Sequence, residues 1–257
     1  MKSNRRQYWT TSTYVLYTII LALLVGNWFV FKAILRLGEG EATSTTSRIA
    51  RTPKQSGKGL FKDKRKFIGA DNIEFVGKVR RDAKTSIVDA PVETFNSVAE
   101  LLGSLERDSA IRGHPLIGSA PDNARIEEEK RNVRVRAFLF AAKKSPDNDY
   151  HAMITDDYDQ PTPEMTMTVE ISGLPLEGPY RDRLEAVRSS FESHMESVDA
   201  YEVEGTDYEF YDSILVWIEG SLFFDIHHPS ETVGPKGFRS SSVWEIHPVT
   251  AIDFVVP

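Results

Sequence analysis

The chain has 257 residues, of which 40% are hydrophobic and 27% are charged, and these are ordinary values for one or two globular domains. It contains no cysteine, which excludes disulfides, thiol catalysis, zinc ribbons and iron–sulfur clusters. The net charge of −7 is unevenly distributed, since residues 1–130 carry +6 and residues 131–257 carry −13. Nucleic-acid binding by the acidic half is disfavoured, because such binding needs cationic side chains that neutralise phosphates.

The N-terminal stretch at residues 13–31 contains no charged residue and is rich in Leu, Ile, Val and Phe. At 1.5 Å per residue, a helix of this length just spans the hydrocarbon core of a membrane. Tyr14, Tyr17 and Trp28 lie near its ends, where membrane helices carry aromatic residues. The run is long for a signal peptide, and no A-x-A cleavage site follows it. We therefore expect residues 1–36 to form a tail and an uncleaved single-pass transmembrane anchor.

A basic segment follows at residues 37–66, with eight Lys and Arg between residues 43 and 70 against the single acidic residue Asp63. One interpretation is a soluble linker, because its Lys, Ser, Thr and Gly do not favour folding. The other is a juxtamembrane segment that contacts anionic lipid, which would place the following domain on the cytoplasmic side. The linker interpretation is favoured, since charge runs are usually solvated.

Residues 67–130 are expected to form an extended and helical extension. Its clearest element is a predicted helix at residues 92–105, in which apolar side chains recur at helical spacing. Loops are predicted around residues 113–115 and 119–123, where Gly, Pro, Ser, Asp and Asn accumulate. No chemistry is assigned to this region.

Residues 131–257 are expected to form an acidic, mainly-β domain. The sequence predicts strands at residues 133–142 and 149–155 and a third strand ending at Ile171. An amphipathic helix at residues 179–195 follows, and then strands at residues 214–224 and 243–255. Three strands, a helix and two strands is the element order of a small OB-like five-stranded barrel, with the helix between strands 3 and 4. A split α+β sheet has the same element order and remains an alternative.

Four of the six histidines fall in three short segments of this domain, and each segment also contains a carboxylate. In an extended strand, side chains two residues apart share a face, so three carboxylate–histidine pairs are expected. Imidazoles and carboxylates together suit a divalent zinc, manganese or iron ion, or another polar ligand. The alternative is a set of His–carboxylate hydrogen bonds that only stabilise the fold. The candidate metal or ligand residues are Asp149, His151, Asp225, His227, Glu245 and His247.

The same segments resemble a family of mostly exported bacterial domains. The resemblance rests on Asp147-Asn148-Asp149-Tyr150-His151, on residues 169–175 and 220–225 and on Trp244-Glu245-Ile246-His247-Pro248-Val249. It covers residues 131–257, about half of the chain, and implies that this domain is extracytoplasmic. It implies no reaction.

Two functional classes remain from the sequence. The first is a membrane-anchored binding or scaffold module with a polar His/Asp/Glu cluster. The second is a metal-dependent hydrolase in which the cluster supplies ligands or general bases, so that an enzymatic role stays open. The sequence lacks the nucleophile elbow, the Walker loop and the Rossmann glycine pattern, and no organic cofactor site is predicted.

Overall fold

The computed structural model describes residues 73–203, 205–229 and 233–255, and all of them belong to one compact unit, Asp63–Pro257. The predicted transmembrane segment at residues 13–31 and the predicted linker at residues 37–66 lie outside the described residues. Among the helices of the described part, none is long and apolar enough to cross a membrane. The anchor therefore stays a prediction from the sequence.

The described residues form seven strands, four α-helices and two short 3₁₀-helices, the latter at Glu127–Glu129 and Pro163–Met165. In chain order the strands are β1 Val92–Phe95, β2 Asn132–Lys144, β3 Tyr150–Thr155, β4 Thr166–Ile171, β5 Ala200–Glu202, β6 Glu209–Phe224 and β7 Trp244–Phe254. The α-helices are α1 Arg81–Lys84, α2 Val98–Gly103, α3 Asp108–Arg112 and α4 Arg181–Ser197.

Five strands close into a barrel in the order β2-β3-β4-β7-β6, and β6 pairs with β2 to complete it. All neighbours run antiparallel except β4 and β7, which are parallel. Helix α4 connects the third and fourth strands of this barrel. The prediction of a mainly-β fold, with a five-stranded barrel and a helix between strands 3 and 4, is confirmed.

The barrel interior is filled by apolar side chains that come from all five strands. Because successive side chains of a strand alternate between its two faces, these residues identify the inward face of each strand. Examples that are completely buried are Val135 of β2, Ala152 of β3, Val169 of β4, Val216 of β6 and Ile246 of β7.

Helix α4 follows the amphipathic pattern expected from the sequence. Leu184, Val187, Phe191 and Met195 recur at intervals of three or four residues, and all four are buried. The helix lies against β4 and β7. Each of these side chains contributes roughly 1.5–3 kcal/mol by burial, which stabilises the helix more than its intrinsic propensity does.

The helix predicted at residues 92–105 is wrong in its first part. Residues Val92–Phe95 form β1, which runs parallel to the start of β2. The helix begins only at Val98, because the Ser97 hydroxyl accepts a hydrogen bond from the Glu100 amide and caps the helix there. The carboxylate of Asp156 also accepts from the amides of Val98 and Ala99, at 2.5 and 2.8 Å. The barrel thus fixes the start of this helix.

A buried ion pair fastens the extension to the barrel. Arg80 donates two hydrogen bonds to the Glu129 carboxylate, at 2.7 and 2.6 Å, and both side chains are fully buried. Glu129 also accepts from the backbone amide of Phe224 in β6, at 2.8 Å. The pair therefore joins two parts of the extension to one barrel strand.

Arg125 makes a second connection between the extension and the barrel. Its guanidinium donates to the backbone oxygens of Ala83 and Ser86 in the extension, at 2.5 and 3.1 Å. It also donates to the backbone oxygens of Leu222 in β6 and His247 in β7, the latter at 2.7 Å. The backbone next to α1 is thereby held against the two last barrel strands.

Replacing Glu129 by Gln should leave the Arg80 guanidinium buried without its charge partner, and this typically costs about 3–5 kcal/mol. We expect that loss in the free energy of unfolding measured by urea denaturation. The control is Glu93→Gln, which removes the partner of the more exposed Arg131 and should cost about 0.2–1 kcal/mol. Equal losses in the two variants would contradict the role given to Glu129.

Candidate functional site

The structure brings four of the six candidate residues together. Asp149 lies in the β2–β3 hairpin and His151 on β3, whereas Glu245 and His247 lie on β7. The imidazole of His247 is at the centre, with its Nδ1 3.2 Å from Glu245 Oε1 and its Nε2 3.6 Å from Asp149 Oδ2. His151 joins this group through a further carboxylate, that of Glu170.

Glu170 on β4 is the functional residue that the sequence pattern missed. Its Oε2 lies 2.7 Å from His247 Nδ1, and its Oε1 lies 3.1 Å from His151 Nε2. Glu170 and His151 are opposite each other in the β3–β4 register, so their side chains share a face. Glu170 has no histidine two residues away on β4, so the carboxylate–histidine pattern does not include it, yet it is only 1% exposed.

These ionisable side chains project from the outer face of the barrel. Glu170 follows Val169 on β4, and Val169 points into the interior. Glu245 and His247 flank Ile246 on β7, which also points into the interior. Since neighbours on a strand alternate, all three polar side chains lie on the opposite face of the sheet.

The extension covers this outer face and removes it from solvent. Glu74 forms a β-bridge with Leu174, and the amide of Phe75 donates to the Leu174 oxygen at 2.8 Å. The amide of Val76 donates to the backbone oxygen of Asp147 at 3.2 Å. The group is thus enclosed between barrel strands and extension.

The extension also contributes a charge, that of Lys84 at the end of α1. Its ammonium lies 3.5 Å from Glu170 Oε2 and 4.0 Å from Glu245 Oε1. It also lies 5.3 Å from the centre of the Phe223 ring, on the outer face of β6. No sequence signal singles out this lysine, because its position depends on how residues 73–84 pack onto the barrel.

Burial and mutual charge shift the pKa values of this group. Burial raises the pKa of the Asp149 and Glu245 carboxyl groups well above their usual range. Burial alone would also raise the pKa of Glu170, but His151, Lys84 and His247 together hold it well below its usual range. Glu170 is therefore ionised at neutral pH.

The two imidazoles are neutral at neutral pH. Burial lowers the pKa of His247 to about 4, and burial lowers the pKa of His151 as well. Burial also disfavours the charged form of Lys84, but the carboxylates of Glu170 and Glu245 outweigh it and raise the pKa of the ammonium. A neutral imidazole offers a nitrogen lone pair, which is the form that binds metals.

Several buried polar atoms of the group lack an aligned hydrogen-bond partner among the described residues. They include Asp149 Oδ2, Glu170 Oε2, His151 Nε2 and His247 Nε2. The close contacts of Glu170 with the two imidazoles do not have hydrogen-bond alignment, although they are short. Buried polar atoms without partners are uncommon, and an ion is one of the recognised reasons for them.

Three residues of the group have the geometry of a cation site. One carboxylate oxygen each from Asp149 and Glu170 and one ring nitrogen of His247 lie within 4.8 Å of one another. All three residues are at most 1% exposed. We call this set the inner triad.

Asp225 and His227 do not join the inner triad. Strand β6 ends at Phe224, so the strand alternation that paired Asp225 with His227 no longer applies. Asp225 instead contacts the His228 ring, with 2.6 Å between Oδ2 and Nδ1, and accepts from the backbone amide of His227. His228, in the turn after β6, is therefore the side-chain partner of this carboxylate.

A pocket of about 160 Å³ lies between this turn and residues 75–84 of the extension. Its polar lining comes from both sides, because it includes Lys84 and Asp147 as well as the side chains of the β6–β7 turn. Asp225, His227 and His228 line it on the turn side. These residues therefore share a pocket with Lys84 and Asp147 without contributing to the inner triad.

The Asp225–His228 pair should make stability depend on pH. A hydrogen bond to Asp225 raises the pKa of His228. The stabilisation by this pair is therefore fully present below the usual histidine pKa and is lost as pH rises through the raised value. Burial raises the pKa of Asp225, but the hydrogen bond from His228 and the charge of Lys84 outweigh burial and lower it. The stabilisation by the pair is therefore also lost in strong acid, where Asp225 becomes protonated. His228→Gln should lower Tm more at about pH 5.5 than at about pH 8.5.

The control for this measurement is His228→Gln in the Asp225→Asn background. The difference between the two pH values should become smaller there, because the carboxylate partner is absent. A difference of the same size in both backgrounds would show that the ion pair does not contribute.

No protein-family model, curated protein or solved structure matches the chain. The resemblance of residues 131–257 to exported bacterial domains therefore stays a prediction. The function has to be inferred from the site itself.

Proposed function

We propose that this domain is a binding module whose inner triad, Asp149, Glu170 and His247, binds one divalent transition-metal ion. The observation that carries the proposal is the convergence of two carboxylate oxygens and one ring nitrogen within 4.8 Å in a fully buried place. Each of the three residues also has a buried atom without an aligned partner. A cation would provide that partner.

The donor set favours a transition metal. Oxygen donors alone would suit magnesium or calcium, whereas an imidazole nitrogen with carboxylates suits zinc, manganese, iron or cobalt. His247 has a pKa lowered to about 4, so no proton competes with a metal for its lone pair at neutral pH.

The charges of the group are also compatible with a divalent ion. When they are ionised, the carboxylates of Asp149, Glu170 and Glu245 carry three negative charges, and Lys84 balances one of them. A divalent cation would balance the other two. Without it, the group must hold protons or remain charged in a buried place, which is costly.

The position of the group on the barrel supports a binding role. The strand order agrees with the predicted OB-like barrel, a fold that binds ligands on the face of its strands 2 and 3 and with the loop between strands 1 and 2. Strands 2 and 3 of this barrel are β3 and β4, which carry His151 and Glu170. Asp149 belongs to the loop between strands 1 and 2.

Binding is better supported than hydrolysis at the inner triad. A metal that activates water needs an open coordination position. All three ligands are at most 1% exposed, as is typical of closed metal sites. The membrane-anchored display of this module depends on residues 13–31 and stays a prediction.

The metal is tested on the full-length chain by elemental analysis and by titration of the chelator-stripped protein with Zn²⁺ and Mn²⁺. Metal at about 100 times Kd should raise Tm by roughly 5–10 °C. His247→Gln and Glu170→Gln should abolish this increase, and circular dichroism checks that both variants fold. His194→Gln, on α4, is the matched control and should keep it. The absence of both bound metal and a metal-dependent Tm in the wild type would refute the proposal.

Lys84→Met tests whether the ammonium competes with the metal. Removing a like charge next to Glu170 should increase metal affinity by about tenfold or more and should destabilise the metal-free protein. Lys78→Met, in the same pocket lining, is the control and should do neither. If Lys84 is only a structural counter-ion, its replacement will destabilise the protein and metal will not restore the lost stability.

A further inference from the structure

We propose that Asp147, Asp149 and His151 form a second cation site, which shares Asp149 with the inner triad and opens to the pocket next to it. One ligand atom from each of the three residues lies within 4.8 Å of the others. We call this set the outer triad. The proposal rests on the proposed inner site, because the two have a ligand in common.

The β2–β3 hairpin places the three side chains. Asn148 adopts a left-handed conformation with φ of 74°, and its amide donates to the Ser145 oxygen at 3.0 Å. Asp147 lies in this turn, and Asp149 and His151 follow it at alternate positions of the chain. Asn148 also donates to the Glu74 oxygen at 2.6 Å, so the extension holds the turn in place.

The outer triad also has buried polar atoms without aligned partners among the described residues. Asp147 Oδ1, Asp149 Oδ2 and His151 Nε2 are such atoms. The Asp149 side chain is fully buried, and its other oxygen accepts from the Gly173 amide at 2.5 Å. A carboxylate has two oxygens with about four lone-pair directions, so Asp149 can serve two cations as well as that amide.

The outer triad differs from the inner one in its access to solvent. The His151 side chain is 15% exposed, and Asp147 lines the pocket of about 160 Å³. A volume of this size holds several water molecules. A cation at the outer triad could therefore keep a water ligand, whereas the inner triad is closed.

The two sites would then have different roles. The inner cation would be a closed, slowly exchanging ion on the barrel. The outer cation would have an exchangeable position facing Lys84 and the β6–β7 turn, and this is the arrangement that activation of water requires. The class of ligand for the outer site is again a divalent transition-metal ion with imidazole and carboxylate donors.

Titration of the stripped full-length chain with Mn²⁺ tests the second site. Wild type should bind two equivalents, and Asp147→Asn should bind one while it keeps the Tm increase of the inner site. His151→Gln serves as a second variant and should also bind one equivalent. Asp182→Asn, on the first turn of α4, is the control and should bind two.

Two further readouts distinguish the sites. Bound Mn²⁺ should enhance water proton relaxation in wild type, and Asp147→Asn should lose most of that enhancement because the open position is gone. Two ions that share the Asp149 carboxylate should also show magnetic coupling in electron paramagnetic resonance, which Asp147→Asn should abolish.

The possible failures separate the two proposals. If wild type binds one equivalent of Mn²⁺ and shows no relaxation enhancement, the outer site is refuted and the inner site is not. If wild type binds no Mn²⁺, both the inner and the outer site are refuted. Two equivalents in Asp147→Asn would refute the assignment of the outer site to this residue.

Discussion

The carboxylate of Glu170 is the charge on which the arrangement of this protein depends. It is ionised and almost completely buried, which costs several kcal/mol unless partners compensate for the lost solvation. The polar groups closest to it come from three other places in the chain, namely His151 from β3, His247 from β7 and Lys84 from α1, and of these Lys84 is positively charged at neutral pH. The covering extension is therefore required for the charge balance of the barrel face, because it supplies Lys84.

The extension packs onto this face of the barrel because the aromatic ring of Phe223 attracts its cationic side chains. The face of the Phe223 ring lies 4.6 Å from the Arg80 guanidinium and 5.3 Å from the Lys84 ammonium, and it attracts both through its quadrupole. Arg125 lies near the same ring at 5.7 Å. Burial lowers the pKa of Arg125 to about 10, so it still carries a charge at neutral pH and keeps its hydrogen bonds to four backbone oxygens. Docking of residues 73–84 and binding of a cation then involve the same carboxylates, so each influences the other.

The sequence predicted the barrel and α4 because both rest on local periodicity, of two residues in the strands and three to four in the helix. It also indicated four residues of the polar group. It could not indicate Glu170, because alternation along β4 separates two faces without telling which is solvated, and only the packing of the distant extension buries this one. Nor could it pair Asp225 with His228, since that contact depends on where β6 ends and the turn begins. Such features are set by tertiary contacts between segments far apart in the chain.

The polar group can be neutralised in two ways, and they place different demands on the fold. Protons on Asp149 and Glu245 neutralise it without a ligand, which agrees with the raised pKa values that burial gives these carboxyl groups. Protons do not, however, satisfy the lone pairs of His247 Nε2 and Glu170 Oε2, because neither atom has an aligned donor among the described residues. A network built only for structural hydrogen bonds gains little from such unsatisfied atoms, since each costs about 1–3 kcal/mol. A cation satisfies the charge and the lone pairs together, and for this reason the geometry favours a binding site over a purely structural cluster.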